Sequence, residues 1–191
     1  MRIVAGEFKG RQLKSPAWEG LRPTSDRLRE TLFNILGDAI VGARVLDGYA
    51  GTGAIGIEAL SRGAAHVTFV ERDPRAVQLI ETNLAALGLE RRRAPASDAA
   101  ARKKGYAIIR AGFADAAKRL AVGEFDLLIL DPPYADRAAE DALAAAVPLA
   151  GPDTRIVIEH AARHAPPAAS APMRLRRTVK AGDSALSFYG C

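Results

Sequence analysis

Cysteine is almost absent from the sequence, which contains only Cys191. A chain with one cysteine forms no internal disulfide, and such usage is typical of proteins in a reducing compartment. No run of eighteen apolar residues occurs, so no membrane-spanning helix is expected. The opening stretch, MRIVAGEFKGRQLK, has glycines and charges where a signal peptide needs an apolar core. These absences favour a cytoplasmic protein with no membrane partner.

Aromatic residues are also scarce, at 6% of the 191 residues, but apolar residues make up 49% and charged residues 26%. This composition is typical of a globular protein rather than a disordered chain. The length suffices for one sizeable hydrophobic core. We therefore predict a single domain over residues 1–191.

Acidic residues do not balance the basic ones, and the net charge is +5. The excess is clustered: residues 163–180 contain five Lys or Arg and no acid, and the stretch ERRRAPASDAAARKKG contains six. Clustered positive charge fits a polyanionic partner such as RNA or DNA. A solvated basic surface is the alternative interpretation.

From Ala43 onwards, strand-like and helix-like segments alternate. The stretches ARVLD, HVTFVE, YAIIR, FDLLILD and TRIVIEH are predicted strands, and a helical pattern follows each of the first four. This alternation predicts an α/β fold, a parallel sheet with helices on both faces. MRLRRTVKA and SALSFYG are two further predicted strands, joined by a hairpin at Gly182 and Asp183.

Two segments lie outside this alternation. Residues 1–14 alternate around two glycines and predict a short N-terminal hairpin, and the apolar spacing after them predicts a helix over residues 25–38. Thr24 or Ser25 is the expected N-cap of that helix. Residues 90–104 lack large apolar side chains and predict a flexible basic loop, either an RNA contact or a disordered insertion.

A glycine-rich turn, GYAGTGAIG, connects the first strand of the alternation to its helix. Gly51, Gly53 and Gly56 match the G-x-G-x-x-G pattern of loops that let a ligand approach the backbone. Glu71, at the end of the second strand, could accept both ribose hydroxyls of an adenosine cofactor. Asp47 would repel a pyrophosphate but attract the ammonium and sulfonium of S-adenosylmethionine. Its alternative role is to hold the loop through backbone amides.

The fourth strand runs into Asp131, Pro132, Pro133 and Tyr134. The lone pair of a nucleobase amine is delocalised into the ring, so its methylation benefits from two acceptors that hold the N–H bonds. The Asp131 carboxylate and the Pro132 carbonyl, made rigid by adjacent prolines, could be these acceptors. Tyr134 could stack on a flipped base. The alternative interpretation is a Pro-Pro turn with a buried tyrosine.

These motifs resemble a known family. VLDGYAGTGAIGIEALSRGA, VERD and LILDPPY are similar to S-adenosylmethionine-dependent methyltransferases of exocyclic amines. MRIVAGEFKGRQL and GLRPTSDRLRETLFNIL narrow the resemblance to the RsmD-type 16S rRNA guanine-N2 methyltransferases. The resemblance implies a Rossmann-like class I fold with a seven-stranded, mostly parallel sheet, an antiparallel last strand and an N-terminal β-hairpin. It also implies 16S rRNA or an assembling small ribosomal subunit as partner.

The resemblance assigns individual residues. Catalysis would depend on Asp131, Pro132 and Tyr134. S-adenosyl-L-methionine would be bound by Thr24, Asp47, Ala50, Gly51, Gly53, Glu71, Arg72, Phe113 and Asp131. We expect no metal and a monomer.

The sequence departs from the family pattern at three places, one of which is the loop over residues 90–104, which is longer and more basic than usual. Gly48 stands where the family more often has leucine, which affects the expected packing. Gly112 stands near the place where an acid often meets the adenine, so Phe113 is the expected adenine neighbour.

Two other functions remain open at this point. One is a DNA adenine-N6 methyltransferase, which shares the DPPY motif, although the chain has no evident target-recognition domain. The other is a non-catalytic RNA-binding factor in ribosome assembly that retains the cofactor pocket.

Overall fold

The computed structural model describes residues 1–18, 24–92, 104–135, 137–169 and 171–191. Strands and helices alternate in it as the sequence predicts, and the central strands are apolar segments buried on both faces of the sheet. The helices are α1 (Asp26–Leu36), α2 (Ala54–Ser61), α3 (Pro74–Ala86), α4 (Phe113–Ala117) and α5 (Ala138–Ala146). The strands are β1 (Arg44–Gly48), β2 (His66–Glu71), β3 (Glu90–Arg91), β4 (Gly105–Arg110), β5 (Leu127–Leu130), β6 (Arg155–Ala161), β7 (Arg174–Ala181) and β8 (Ser184–Gly190).

The strands form one sheet in the order β3-β4-β2-β1-β5-β6-β8-β7. All neighbours from β3 to β6 pair in parallel, whereas β8 pairs antiparallel with both β6 and β7. The antiparallel last strand is therefore confirmed. The expected count of seven strands is wrong by one, because the two residues of β3 pair with the start of β4.

Helices cover both faces of the sheet. One hydrophobic core packs α1, α2 and α3 against one face, and a second packs α4 and α5 against the other. The four residues of β5 are all buried, as expected for a central parallel strand covered on both sides. Among the described residues, no helix is both long and apolar enough to cross a membrane.

The N-terminal hairpin is reduced to one antiparallel bridge between Arg2 and Gln12. It is attached to α2, because the carboxylate of Glu58 accepts the backbone N–H groups of Val4 at 2.8 Å and Ala5 at 2.9 Å. Gly6 is needed here, since a Cβ atom on it would lie 2.1 Å from the carbonyl oxygen of a residue in α2. The hairpin therefore packs on the helical layer that covers the sheet.

The predicted helix over residues 25–38 is α1, followed by a 3-10 turn, Gly37–Ile40. Ser25 is the N-cap, since its hydroxyl oxygen accepts the N–H of Leu28 at 3.2 Å. Of the predicted loop over residues 90–104, the first two residues form β3, and residues 93–103 lie outside the described part of the chain.

Candidate active site

Four neighbouring strands each have an acidic residue at or near the carboxyl end. Parallel α/β sheets bind ligands at this edge. Asp47 in β1 pairs with Phe69 in β2, and Glu71 lies two residues beyond Phe69, so both acids project from the same face. The four acids are Asp47, Glu71, Asp131 and Glu159.

The same argument places the other two acids on that face. Asp47 pairs with Ile129 in β5, and Ile129 pairs with Val157 in β6. Asp131 and Glu159 follow these partners by two residues, and side chains two apart in a strand share a face. The sheet therefore brings together four carboxyl groups that are far apart in sequence.

Asp47 is 1% exposed, and its Oδ2 accepts the backbone N–H of Gly56 at 2.8 Å. The structural role that the sequence left open is thus present: Asp47 holds the start of α2. Burial, opposed by this hydrogen bond and reinforced by the charge of Glu71, raises the pKa of Asp47 to about 7. No described Lys or Arg forms a salt bridge with it.

Glu71 holds the glycine loop from the other side. Its Oε2 accepts the N–H of Gly51 at 2.8 Å, and its Oε1 accepts the N–H of Asp73 at 2.8 Å. Gly51 and Gly53 have φ values of 53° and 75°, in the left-handed region that favours glycine. Tyr49 shares that region with φ 74°, a conformation that the sequence did not reveal.

Phe113 and Arg72 lie beside this loop, and Ala50 is part of it. The ring of Phe113 is buried at the start of α4, with its centroid 5.3 Å from that of Tyr49. Burial raises the pKa of Tyr49, and the charge of the exposed Arg72 partly opposes this rise. The N–H of Ala50 donates to Val70, which fixes the loop to β2.

The departure at Gly48 has a packing reason. A Cβ atom on Gly48 would lie 2.6 Å from a Leu130 side-chain carbon and 2.8 Å from a Phe113 ring carbon. Such distances are shorter than van der Waals contact allows, so glycine permits Phe113 to pack against β1 and β5.

Asp131 is anchored by the N-terminal part of the chain. Thr24 Oγ1 donates to Asp131 Oδ2 at 3.0 Å, so the structure places Thr24 on the carboxylate of the DPPY motif. The carbonyl of Thr24 accepts from the buried guanidinium of Arg29 at 2.9 Å, and Arg29 also pairs with Asp26. Burial and the nearby Glu159 hold the pKa of Asp131 well above its usual range.

Tyr134 presents its ring to solvent. The side chain is 56% exposed, so the alternative interpretation of a buried tyrosine is wrong. Its hydroxyl donates to Glu159 Oε1 at 2.7 Å and lies 2.7 Å from Ser184 Oγ, which also donates to Glu159 Oε1 at 2.8 Å. Burial of the hydroxyl, with the Glu159 and Asp131 charges, raises the pKa of Tyr134 to about 12.

Glu159 and Ser184 are the residues that sequence reasoning missed. Glu159 had a signal, because TRIVIEH has an acid near its carboxyl end, as do the strands that supply Asp47 and Glu71. Ser184 had none, since its approach to Tyr134 depends on how β8 inserts beside β6. Among the described residues, no group of three or more His, Cys, Asp or Glu side chains could hold a metal.

The sequence also matches a known protein family over almost its whole length. A family model described as Conserved hypothetical protein 95 matches residues 1–190. The chain belongs to this family. Its relatives include enzymes named Ribosomal RNA small subunit methyltransferase D, so the predicted resemblance to RsmD-type methyltransferases is confirmed.

Two of these relatives show how far the likeness extends. The one from Escherichia coli K12 is 53% identical over 87 residues, which cover 46% of this chain and 44% of the relative. The one from Haemophilus influenzae is 39% identical over 144 residues, covering 75% of this chain and 68% of the relative. The chain thus spans about half the length of the first curated relatives that it matches.

The family likeness extends to solved structures over nearly the whole chain. The structure of yhhF from Escherichia coli, described only provisionally as a methyltransferase, has a TM-score of 0.81 and 29% sequence identity. The match covers 99% of this chain and 96% of that one. The Rossmann-like methyltransferase fold expected from the sequence is therefore confirmed.

Proposed function

We propose that this chain is an S-adenosylmethionine-dependent methyltransferase that modifies the exocyclic N2 amine of a guanine in small-subunit rRNA. The observation that carries the proposal is Asp131, a half-buried acceptor fixed by Thr24 at the sheet edge that also holds Asp47 and Glu71. The names of the relatives, Ribosomal RNA small subunit methyltransferase D, support the substrate class.

The residues present fit S-adenosylmethionine. Asp47 is buried, its pKa is raised, and no described cation pairs with it, so a positively charged ligand would stabilise its ionised form. The ammonium and sulfonium of the cofactor have this charge, and the cofactor supplies an electrophilic methyl group. The residues proposed to hold it are Thr24, Asp47, Ala50, Gly51, Gly53, Glu71, Arg72, Phe113 and Asp131.

The DPPY motif would hold the nucleobase. The Asp131 carboxylate accepts one N–H of the amine and the Pro132 carbonyl accepts the other, which localises the nitrogen lone pair. The exposed ring of Tyr134 provides a stacking face, worth roughly 1–3 kcal/mol per base. The site therefore acts mainly by positioning the amine in line with the methyl group.

The basic strand β7 is the proposed contact for the rRNA backbone. Its four cationic side chains are exposed and form no salt bridge with an acid in the described part of the chain. Ser184, which contacts Tyr134, follows β7 through the hairpin turn, so this strand leads towards the base-binding site. The four side chains are Arg174, Arg176, Arg177 and Lys180. We also propose that the protein methylates rRNA as a monomer in the cytoplasm.

Methyl transfer from labelled cofactor tests the proposal. Purified protein is incubated with small-subunit rRNA, with partly assembled small subunits and with duplex DNA, and the labelled nucleoside is identified. We expect label in N2-methylguanosine of the RNA; label only in DNA adenine, or in no nucleic acid, would overturn the proposal.

The Asp131→Ala variant tests the catalytic assignment. Removal of the acceptor should lower kcat by about 100-fold or more, in the range of a positioned acid or base, whereas affinity for labelled cofactor, which the other proposed binding residues also hold, should fall by much less. The matched control is Asp153→Asn, an exposed acid at the opposite end of β6, which should leave kcat unchanged. An Asp131→Ala protein as fast as wild type would remove the assignment.

A further inference from the structure

Glu159 is a buried acid that the proposed chemistry does not yet use. It is 7% exposed, and its Oε1 accepts two hydrogen bonds, from Tyr134 at 2.7 Å and from Ser184 at 2.8 Å. Its Oε2 is buried and accepts no hydrogen bond from any described residue. A buried polar atom without a partner costs free energy, so this oxygen requires an explanation.

The sheet register places Asp131 beside Glu159. Leu130 in β5 pairs with Ile158 in β6, so the next residues of the two parallel strands, Asp131 and Glu159, are neighbours. Their proximity is also evident in the raised pKa of Asp131, to which the charge of Glu159 contributes after burial. Two adjacent carboxyl groups withdrawn from water cannot both be ionised at low cost.

We propose that Glu159 is a positioning residue that shares one proton with Asp131 and anchors the hydroxyl of Tyr134. The shared proton lies between Glu159 Oε2 and the Asp131 carboxyl, which gives the orphaned oxygen a partner. Glu159 thereby connects the proposed amine acceptor to the proposed stacking ring. The catalytic part of this inference rests on the proposed function; the shared proton does not.

The other groups around the pair agree with one shared proton. Asp47 acts on Asp131 from β1 and disfavours a second negative charge, whereas the Thr24 hydroxyl favours the ionised form of Asp131. The Tyr134 hydroxyl donates to Glu159 from beyond β5. The neighbouring His160 instead bonds Ser187 Oγ at 2.8 Å, on the other side of β6. No described cation forms a salt bridge with either carboxyl.

Infrared difference spectra test the shared proton without any substrate. A protonated carboxylic acid has a carbonyl stretch distinct from that of a carboxylate, and most Asp and Glu are ionised near neutral pH. Glu159→Gln should lose one such band relative to wild type, because the amide donates to Asp131 and leaves it ionised. Asp131→Asn should lose the same band, and the control Asp153→Asn should retain it.

The same infrared spectra can contradict the shared proton. If neither Glu159→Gln nor Asp131→Asn changes the protonated-acid region, the pair shares no proton and the inference fails. Asp47 interacts with Asp131, so the same comparison is repeated in the Asp47→Asn background, which removes the protonation of Asp47 from the difference. Circular dichroism establishes that each variant is folded, and Asp131→Asn gives the result independently should Glu159→Gln not fold.

Kinetics test the positioning role. Glu159→Ala should lower kcat for rRNA methylation by up to about 100-fold, since misplacement of a reacting group has effects of that size. Glu159→Gln should recover most of this loss, because its amide can both accept from Tyr134 and donate to Asp131. The Glu159→Gln variant should also shift the acidic side of the kcat–pH profile to lower pH, because Asp131 no longer faces a second acid.

A double-mutant cycle separates anchoring of the ring from other effects. Tyr134→Phe alone should lower kcat by about tenfold at most, the value of one hydrogen bond, and should have no further effect in the Glu159→Ala background. Glu159→Gln as slow as Glu159→Ala, or additive losses in the cycle, would overturn the positioning role. If wild-type protein methylates no rRNA while the infrared bands behave as expected, the proposed function fails and the shared proton stands.

Discussion

Single residues at the sheet edge combine a structural role with the proposed binding of a ligand. Asp47 fixes the start of α2 through Gly56, and Glu71 fixes the glycine loop through Gly51. Each carboxylate oxygen has more than one lone pair, so these backbone bonds leave capacity for a ligand. The cost of the arrangement falls on Asp47, an acid buried without a cation from the described chain.

Asp47→Asn should therefore stabilise the ligand-free protein at neutral and higher pH. Its raised pKa means that the folded state holds a proton that the unfolded state releases, so wild-type stability falls as pH rises from about 4 to about 7. The asparagine oxygen still accepts from Gly56 and carries no charge.

Urea denaturation at two pH values measures this effect. At about pH 8 the free energy of unfolding should rise by at most a few kcal/mol, since each pH unit between the folded and unfolded pKa values corresponds to roughly 1.4 kcal/mol, and the gain should vanish at about pH 4. The control is Asp153→Asn, which should show no such pH dependence. If Asp47→Asn is less stable than wild type at the higher pH, burial of the Asp47 charge does not destabilise the protein. The same variant should also bind S-adenosylmethionine with lower affinity.

The segment that precedes α1 contacts the candidate active site at the carboxyl edge of the sheet. Ser25 caps α1, the buried guanidinium of Arg29 holds the carbonyl of Thr24, and the Thr24 hydroxyl holds Asp131. The N-terminal extension thus forms part of the candidate active site. The contact between α4 and β1 has a similar role, since it places Phe113 and Tyr49 beside the glycine loop.

Thr24→Val should move the acid limb of the kcat profile to higher pH. The Thr24 hydroxyl favours the ionised form of Asp131, so its loss raises the pKa of Asp131 further. Asp131 accepts the amine N–H only when ionised, so activity should be lost at a pH where wild type still works. Thr31→Val is the matched control, because the Thr31 hydroxyl donates to the carbonyl of Arg27 within α1. Identical profiles for Thr24→Val and wild type would contradict the coupling.

Gly48→Ala should destabilise the protein through the contact of β1 with α4. The added methyl group would overlap Leu130 and Phe113, and overpacking of this kind costs about 1–3 kcal/mol. Gly112→Ala is the control, because a Cβ atom there meets nothing within 4 Å and should change stability by less than about 1 kcal/mol. Chemical denaturation measures the free energy of unfolding of both variants. Equal values would show that Leu130 and Phe113 accommodate the added methyl group without strain.

Across the whole molecule, positive charge and the proposed catalytic groups occupy connected parts of the sheet. The basic strand β7 lies at one edge of the sheet, and its hairpin to β8 brings Ser184 to Tyr134 and Glu159. A polyanion bound along β7 would therefore lead towards the stacking face of Tyr134. The net charge of +5 supports association with a polyanion.

Neutralisation of β7 should weaken RNA binding by a salt-dependent amount. The double variant Arg174→Gln with Arg177→Gln should lower affinity for rRNA and reduce the slope of log K against log salt by roughly one for each phosphate that the strand no longer neutralises. The control is Lys118→Gln with Arg119→Gln, which removes the same charge next to α4. Equal decreases in both double variants would mean that only net charge matters, and β7 would then not be the binding surface.

The local elements and most of the candidate site could be predicted from the order of the residues alone. Alternation of short apolar runs with helical segments predicted the parallel sheet, and the positions of Asp47, Glu71 and Asp131 at strand ends predicted a shared edge. Such features depend on side-chain periodicity and turn chemistry, which are properties of neighbouring residues.

The meeting of distant segments at that edge depends instead on the packing of the folded chain. The bond from Thr24 to Asp131 joins residues 107 positions apart, and the contact of Ser184 with Glu159 depends on β8 inserting antiparallel between β6 and β7. Local patterns do not encode such pairings, because they arise from the packing of whole elements and from the burial of their polar groups. The pairing of Asp131 with Glu159 is of the same kind, since it exists only where two strands lie in register.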